Sequence, residues 1–313
     1  MRFFRLLFPC LLLLLLPAPA TAADWLDTTV PARVGVGKPF VVRLVSRFPA
    51  DALAVEWNGR MLRMPFTRKG ESFEAEFLLG TDLRRELGVY PLALDVHLWG
   101  RSYRFTHAVD VVESAWDHET LTVPPKMVKP PKEAMARIKK ERKLIRAALD
   151  TVTPERFWTV PFTRPVKGKM LSRFGLYRVF NGNVESRHSG LDFRAYAGTP
   201  IHAMAAGTVV LTGSFYYAGN AVCIDHGLGL VSMSCHLSRR LVGEGDRVEA
   251  GQRIGLSGAT GRVTGAHLHL GVFLLGEAVD PALFFDGTLD VDFNESSIIS
   301  PNRNQPETIK ARE

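Results

Sequence analysis

Short runs in which every second residue is apolar recur along the first third of this chain, and they restrict it to β-structure. The segments "FEAEFLL", "LALDVHLW" and "YRFTHAVDVV" all alternate in this way, which is typical of strands with one buried face. Asn58-Gly59 separates "AVEW" from "RMLRM" and predicts a two-residue hairpin. Several short strands within about ninety residues therefore predict an immunoglobulin-like β-sandwich.

The second half of the chain has dense glycine and short runs of Val, Ile and Leu. Segments such as "GTVVLTG", "NAVCIDHG" and "HLHLGVFLL" favour a compact antiparallel β domain with little helix. The chain has 313 residues, enough for two domains. We therefore expect a mainly β protein with a signal peptide at 1–22, the sandwich at 23–114, a basic helical linker at 115–156, the antiparallel β domain at 157–288 and a tail at 289–313.

The first residues indicate export from the cytoplasm. Arg2 and Arg5 precede the apolar run Leu6–Leu16, and the small residues "ATA" end at Ala22, as in a cleavable secretory signal. A retained membrane anchor is the alternative, but the apolar run is shorter than the roughly 20 residues that span a bilayer. We expect cleavage after Ala22 and a periplasmic or secreted protein.

A basic segment joins the two halves. Pro130 and Pro131 can begin a helix that runs to about Leu149, and its apolar stripe would consist of Met135, Ile138, Ile145 and Leu149. Residues 126–146 include nine Lys or Arg and two Glu, a local charge of +7. We expect a solvated helix face docked on a domain. The alternative is contact with an anionic polymer or a membrane surface.

Two cysteines, Cys223 and Cys235, remain after the signal peptide. They flank "IDHGLGLVSMS", which predicts a tight hairpin around Gly227 and Gly229. An exported protein can form a disulfide, and cross-strand neighbours are close enough to bond if the register allows it. Two buried free thiols are the alternative, and the sequence favours neither.

Histidines are concentrated in the second domain, where six of the nine lie between His188 and His269. The sequence "HLH" contains His267 and His269, which share one face if this segment is a strand. A further histidine, His236, stands in "SCHLS". Two neutral imidazoles on one face can bind a metal together, or one can bind while the other transfers protons.

The sequence "HSGLD" places His188 and Asp192 four residues apart. On a straight strand they would be about 13 Å apart, so the backbone must bend if both are to reach one metal, and Gly190 would allow that bend. Two imidazoles and one carboxylate complete a three-ligand set. Such a set is typical of catalytic zinc sites, which leave a fourth position open to water.

The second domain resembles the lysostaphin-type, or LytM-like, zinc endopeptidases of peptidase family M23. The family signature combines H-x-G-x-D, a later histidine followed by Leu, and a final H-x-H, and this chain has "HSGLD", "CHLS" and "HLH" in that order. Neighbouring segments such as "GTPIHAMAAGTVV" and "VDPALFF" extend the resemblance over residues 157–285. The linker and the N-terminal β domain are similar to those of secreted Gram-negative members.

The resemblance implies a role for each residue of the signature. His188, Asp192 and His269 would bind one Zn²⁺ per chain, and His236 and His267 would be the catalytic pair. It also implies that the C-terminal domain has the duplicated-hybrid-motif fold of the lysostaphin type, with a substrate groove. Which of the two catalytic histidines accepts the proton stays open.

Four other positions near these motifs are interpreted without a ligand role. Ser234 and Ala266 depart from the family, in which Tyr and Pro are common there, and we expect them to alter packing or substrate contacts. His202 and His226 are interpreted as structural residues.

The expected function is hydrolysis of peptide cross-links in periplasmic peptidoglycan by a zinc metalloendopeptidase. Its partners would be stem peptides and cross-bridges, and the resemblance implies D-Ala to meso-diaminopimelate bonds. The alternative is a non-enzymatic regulator that activates amidases, although such relatives lack one or more of the five signature residues. A cell-wall binding module, and a groove covered by the N-terminal domain, are further alternatives. We expect no nucleic-acid partner and no stable membrane span.

Overall fold

The computed structural model describes residues 25–121, 130–180, 182, 184–289 and 310–312. The predicted signal peptide at 1–22 and most of the predicted tail at 289–313 lie outside these residues. Of the helices within the described ranges, none has the length and apolar character that crossing a bilayer requires.

The alternating N-terminal sequence forms nine strands in the described part of that half. In chain order they are β1 (Leu26–Thr29), β2 (Arg33–Gly35), β3 (Pro39–Ser46), β4 (Ala52–Trp57), β5 (Arg60–Met64), β6 (Thr67–Lys69), β7 (Ser72–Gly80), β8 (Gly88–Leu98) and β9 (Arg101–Val112).

These strands are divided between two sheets. One sheet has the order β1-β3-β7-β6 and the other β2-β9-β8-β4-β5, and every pair is antiparallel except β2 with β9. Asn58 and Gly59 have φ values of 53° and 72° and connect the paired strands β4 and β5. Positive φ at both central residues is what a tight two-residue hairpin requires, so the predicted hairpin is confirmed.

Aromatic residues join the two sheets. Phe40 of β3 packs edge-on against Trp57 of β4, with ring centroids 5.4 Å apart. The Trp57 indole N–H donates a hydrogen bond to Gly80 O at 2.7 Å. Both rings are buried, so this contact excludes water where the sheets meet and satisfies the one polar atom of the indole. The predicted N-terminal β-sandwich is confirmed.

The segment between the two domains contains a strand as well as the expected helix. His118–Leu121 forms β10, and a 3₁₀ turn at Lys132–Ala134 leads into helix α1 (Met135–Leu149). Ile138 and Leu149 are buried, as the predicted stripe requires, but Met135 is 52% exposed. Met135 occupies the first position of the helix, directly after the 3₁₀ turn.

The glycine-rich half is built from short strands. They are β11 (Met170–Ser172), β12 (Tyr177–Phe180), β13 (Val184–Arg187), β14 (Leu191–Arg194), β15 (Pro200–His202), β16 (Gly207–Phe215), β17 (Gly219–Asp225), β18 (Leu230–Arg240), β19 (Arg247–Val248), β20 (Arg253–Ser257), β21 (His267–Leu274) and β22 (Glu277–Val279), followed by a 3₁₀ turn at Pro281–Phe284 and by β23 (Lys310–Arg312).

Ten of these strands form one large sheet. Its main path is β11-β14-β21-β18-β17-β16-β19, with β15, β20 and β22 attached to it, and all of its pairs are antiparallel. Strands β10, β12 and β13 form a separate small sheet, and β23 pairs with β9 of the sandwich. The prediction of a mainly β protein with an antiparallel C-terminal domain is confirmed.

Helix α1 packs on one face of the large sheet. Ala148 and Leu149 share a buried cluster with Met233 of β18, and Phe273 of β21 lies partly buried beside it. Alternation along a strand puts His269 on the same face as Phe273, because the two are four residues apart on β21. The helix therefore covers part of the sheet face that also carries the histidines.

Cys223 and Cys235 belong to the same cluster and are free, buried thiols in this structure. The predicted hairpin joins β17 to β18, but its register places Cys223 opposite Met233 rather than opposite Cys235. Burial raises the pKa of Cys223 to about 12, so this thiol is protonated at neutral pH and packs as a small apolar side chain.

Glu277, at the start of β22, is the polar centre of the contact between the sandwich and the C-terminal domain. Its carboxylate accepts hydrogen bonds from Asn58 Nδ2 at 3.3 Å and from the Asp82 backbone N–H at 3.1 Å. It also forms an ion pair with Arg85. Because the Glu277 and Arg85 side chains are only 12% and 25% exposed, each depends on the other to compensate for lost hydration.

Close backbone approach surrounds this ion pair. The Asp280 N–H donates to Gly37 O at 2.8 Å, and Lys38 Nζ lies 2.8 Å from Asp280 Oδ2. A Cβ atom at Gly80 would lie 2.3 Å from Cγ1 of Val279, so the Gly80 backbone lies directly against the Val279 side chain. The sandwich is therefore packed against the C-terminal domain through specific contacts.

We predict that Glu277→Ala lowers the melting temperature by about 5 °C, because Arg85 would stay partly buried without its partner. Thermal unfolding measured by differential scanning calorimetry checks this. Glu86→Ala is the matched control, since Glu86 is exposed in the same loop. Equal melting temperatures for the two variants would contradict the prediction.

Candidate metal centre

Three side chains from different segments converge at one point of the large sheet. His188 follows β13, Asp192 lies on β14, and His269 lies on β21 directly opposite Asp192. His188 Nε2 is 3.1 Å from Asp192 Oδ1 and 3.1 Å from His269 Nδ1. His269 Nδ1 is 2.9 Å from Asp192 Oδ1. The structure therefore brings the three predicted ligands together.

This donor set fits a tetrahedral metal such as zinc. Ligand atoms 2.0–2.2 Å from a tetrahedral metal are separated from one another by about 3.3–3.6 Å. The three donor atoms are within 3.1 Å of one another, so they need to separate by only a few tenths of an ångström. Imidazole nitrogen and carboxylate oxygen are also the ligand types of catalytic zinc sites.

The hydrogen bonds around the three side chains favour the deprotonated donors that a metal requires. His188 Nδ1–H donates to Arg173 O at 2.8 Å, which leaves the lone pair on Nε2 directed at the site. Burial raises the pKa of Asp192, but the contacts with the His188 and His269 rings outweigh it and hold that pKa well below its usual value. Burial lowers the pKa of His269, which favours its neutral form.

Two further imidazoles face this group. His267 lies two residues before His269 on β21, on the same face, while Leu268 between them is fully buried on the other face. The His267 and His236 ring centroids are 4.9 Å apart, and those of His236 and His269 are 5.9 Å apart. All five residues of the predicted site are therefore neighbours.

Backbone carbonyls orient both of these rings. His236 Nδ1–H donates to Thr260 O at 2.9 Å, and His267 Nδ1–H donates to Gly265 O at 2.9 Å. Each ring therefore presents Nε2 as its free nitrogen. Burial, with His269 and His267 close by, lowers the pKa of His236 to about 4, so His236 is neutral at pH 7 and can accept a proton.

A bulge brings His236 to the site. Cys235 lies opposite His269 in the register of β18 and β21, so regular alternation would turn His236 to the opposite face. The β17–β18 pairing shifts here, with Asn220 and Val222 opposite Leu237 and Ser234, and His236 has a φ of 62°. The left-handed backbone costs about 1 kcal/mol, and it rotates the imidazole toward His267.

Gly190 lies at a bend between β13 and β14, as predicted, and its φ is outside the left-handed region. It has a second role that the sequence did not predict. A Cβ atom at this position would lie 2.5 Å from Cε1 of His269 and 2.6 Å from Leu270 O. Glycine is required because the His269 ring lies directly against the backbone here.

The remaining histidines of the domain occupy structural positions. His226 is fully buried, with Nδ1 2.8 Å from Ala206 O and Nε2 2.8 Å from Ser232 Oγ. His202 Nδ1 is 3.3 Å from Pro165 O. Both rings therefore form their hydrogen bonds with groups outside the metal centre.

The two departures from the family signature differ in their surroundings. Ser234 is buried on β18, opposite Leu270 of β21, and Ala266 directly precedes His267.

The sequence did not predict the groups that orient the rings, above all the backbone carbonyls of Arg173 and Thr260. No sequence signal could have found them, because every residue has a carbonyl.

The part of the chain that contains these residues is similar to known proteins. The sequence pattern of peptidase family M23 matches residues 186–281, a range that contains all five residues of the site. A crystal structure from Pseudomonas aeruginosa assigned to peptidase M23 is 31% identical, with a TM-score of 0.60 over 80% of this chain and 93% of that one.

Curated relatives are similar over shorter ranges. Peptidoglycan DD-endopeptidase ShyA of Vibrio cholerae is 48% identical over 93 residues, which are 30% of this chain and 22% of that protein. DD-carboxypeptidase/endopeptidase Mpg of Neisseria meningitidis is 34% identical over 125 residues, which are 40% of this chain and 29% of that protein. The matches thus cover less than a third of either relative.

We predict that Gly190→Ala weakens zinc binding by about 10- to 100-fold, because the new methyl group must displace the His269 ring. Competition with a chromogenic chelator gives the affinity. Gly243→Ala is the control, since the nearest atom to a Cβ there is 3.7 Å away. Unchanged affinity in Gly190→Ala would show that the ring has room to move.

Proposed function

Because this chain belongs to peptidase family M23, we propose that it is a zinc metalloendopeptidase that hydrolyses peptide cross-links of peptidoglycan in the periplasm. The observation that carries this proposal is the convergence of His188, Asp192 and His269 within 3.1 Å of one another, with two further imidazoles beside them. A structural role alone would not require five polar side chains on one face next to a buried cluster.

In this proposal His188, Asp192 and His269 hold one Zn²⁺. A bound ion would make a water molecule acidic enough to ionise near neutral pH and would polarise the substrate carbonyl. Asp192 contributes a negative charge, and the two neutral imidazoles contribute none, so the centre keeps a net positive charge when loaded. That charge favours the oxyanion that develops when an amide carbonyl is attacked.

His236 and His267 handle protons in the proposed reaction. Each has Nδ1 fixed by a backbone carbonyl, so Nε2 is the atom that exchanges a proton. A neutral imidazole can accept the proton of the attacking water, and the resulting imidazolium can donate it to the leaving amine. The ring that does not act as base lies beside the substrate carbonyl and helps to orient it.

The substrate class rests on the relatives. Both curated relatives named above carry names that refer to DD-endopeptidase or endopeptidase activity, and one name refers to peptidoglycan. We extend that activity to this chain, with D-Ala to meso-diaminopimelate cross-links as the target bond. The N-terminal sequence of a secretory signal supports delivery to the periplasm.

Two substitutions should separate metal binding from proton transfer. His188→Ala should lose both zinc and hydrolysis of a cross-linked muropeptide dimer, because only two ligands remain. His236→Asn should keep zinc and lower kcat by about 10²–10⁴-fold, because Asn tolerates the positive φ but does not accept a proton. Elemental analysis and chromatography of the products provide the two measurements.

His202→Asn is the control, since His202 lies away from the centre and should keep both properties. Cleavage at the wild-type rate by zinc-free His188→Ala would refute the proposed mechanism. A wild-type protein that binds zinc, cleaves no dimer and stimulates a purified amidase would instead support the regulatory alternative.

A further inference from the structure

A cavity of about 490 Å³ lies between the sandwich, helix α1 and the C-terminal domain. Arginine residues from three different segments line it. They are Arg84 from the loop between β7 and β8, Arg146 from α1, and Arg187 from the end of β13.

This cavity continues from the metal centre along the same face of the sheet. Ser189, which lines it, is adjacent in sequence to His188. Phe273, which also lines it, is four residues after His269 on β21 and therefore on the same face. Four residues of strand correspond to about 13 Å, a distance that an extended peptide covers with about four residues.

The three arginines differ in how they are held. Arg146 is fixed in place, because it pairs with Asp150 at 2.9 Å and donates to Gly276 O at 3.0 Å. Arg187 lies over the Tyr177 ring at 5.4 Å, and no carboxylate from the described residues pairs with it.

Arg84 is more accessible than Arg146. Its side chain is 85% exposed and uses Nε to donate to Asp82 Oδ1 at 3.2 Å. Its two terminal nitrogens bond to no acceptor from the described part of the chain. Arg84 and Arg187 can therefore both offer paired N–H groups to an incoming carboxylate.

We infer that this cavity is a specificity subsite that binds a carboxylate of an acidic stem peptide through Arg84 and Arg187. The inference rests on the proposed function, because it assigns to the substrate a charge that peptidoglycan stem peptides carry. The apolar wall at Phe273 would contact the aliphatic part of the same peptide, while the guanidinium groups recognise its carboxylate.

The docking of the sandwich gives this subsite its rigidity. Arg84 stands between Asp82 and Arg85, and both of these neighbours bond to Glu277 of the C-terminal domain. The loop is therefore fixed relative to β21 and the metal centre. A residue of the N-terminal domain thus becomes part of the substrate-binding surface.

Binding of an uncleavable ligand tests the inference without relying on catalysis. The probe is a fluorescent stem tetrapeptide with free carboxylates, compared with the same peptide in amidated form, on the zinc-loaded full chain. The wild type should bind the free acid about tenfold more tightly than the amide. Arg84→Ala should lose about fivefold in affinity for the free acid and nothing for the amide.

Arg63→Ala is the matched control. Arg63 is exposed on β5 of the same domain, and its substitution removes the same charge. An unchanged affinity in this control supports a local contact. An equal loss in Arg63→Ala and Arg84→Ala, or equal affinity of the wild type for acid and amide, would overturn the inference.

Kinetics with a cross-linked dimer separate this inference from the proposed function. In Arg84→Ala the KM for the free-acid dimer should rise about fivefold with kcat unchanged, since Arg84 is distant from the reacting atoms. Cleavage of acid and amidated dimers with equal kcat/KM refutes the subsite and leaves the peptidase assignment intact. If the dimer is not cleaved, the proposed function fails, and the tetrapeptide binding data still decide on the subsite.

Discussion

The antiparallel register of β14 against β21 is the constraint on which the metal centre depends. It sets Asp192 opposite His269, so that two polar side chains from distant segments meet at 2.9 Å on one face. Leu268 and Leu270, which alternate with the histidines, are buried on the other face. A slip of one residue would bury the polar side chains and expose the leucines, so apolar burial fixes the register that the chemistry needs.

Packing between the domains involves both faces of the large sheet. Helix α1 covers the face that carries the histidines, next to the metal centre, through Ala148, Leu149 and Phe273, and the sandwich docks at the far end of β21 through Glu277. The helix and the sandwich therefore bound the open surface that leads away from the centre. The position of the sandwich is what gives a residue such as Arg84 access to that surface.

Local strain persists at the centre because the surrounding sheet holds it. His236 adopts a φ of 62° at a bulge of β18, and its backbone N–H and its Nδ1–H donate to Ala218 O and Thr260 O at 2.8 and 2.9 Å. These two bonds compensate for the unfavourable backbone and fix the ring at the same time. Gly190 makes the complementary contribution, since its missing side chain leaves space for the His269 ring.

The sequence by itself determined the β character of both domains and the Asn58-Gly59 hairpin, and its resemblance to a known family pointed to the five polar residues at the centre. Alternation and turn residues are local properties, and short motif spacing fixes which side chains can share a strand face. The tertiary structure alone decided the bulge that turns His236 to its partners, the second role of Gly190, and the cavity lined by Arg84 and Arg187. Each of these depends on contacts between segments far apart in sequence, and a pattern read along the chain does not contain the distances between them.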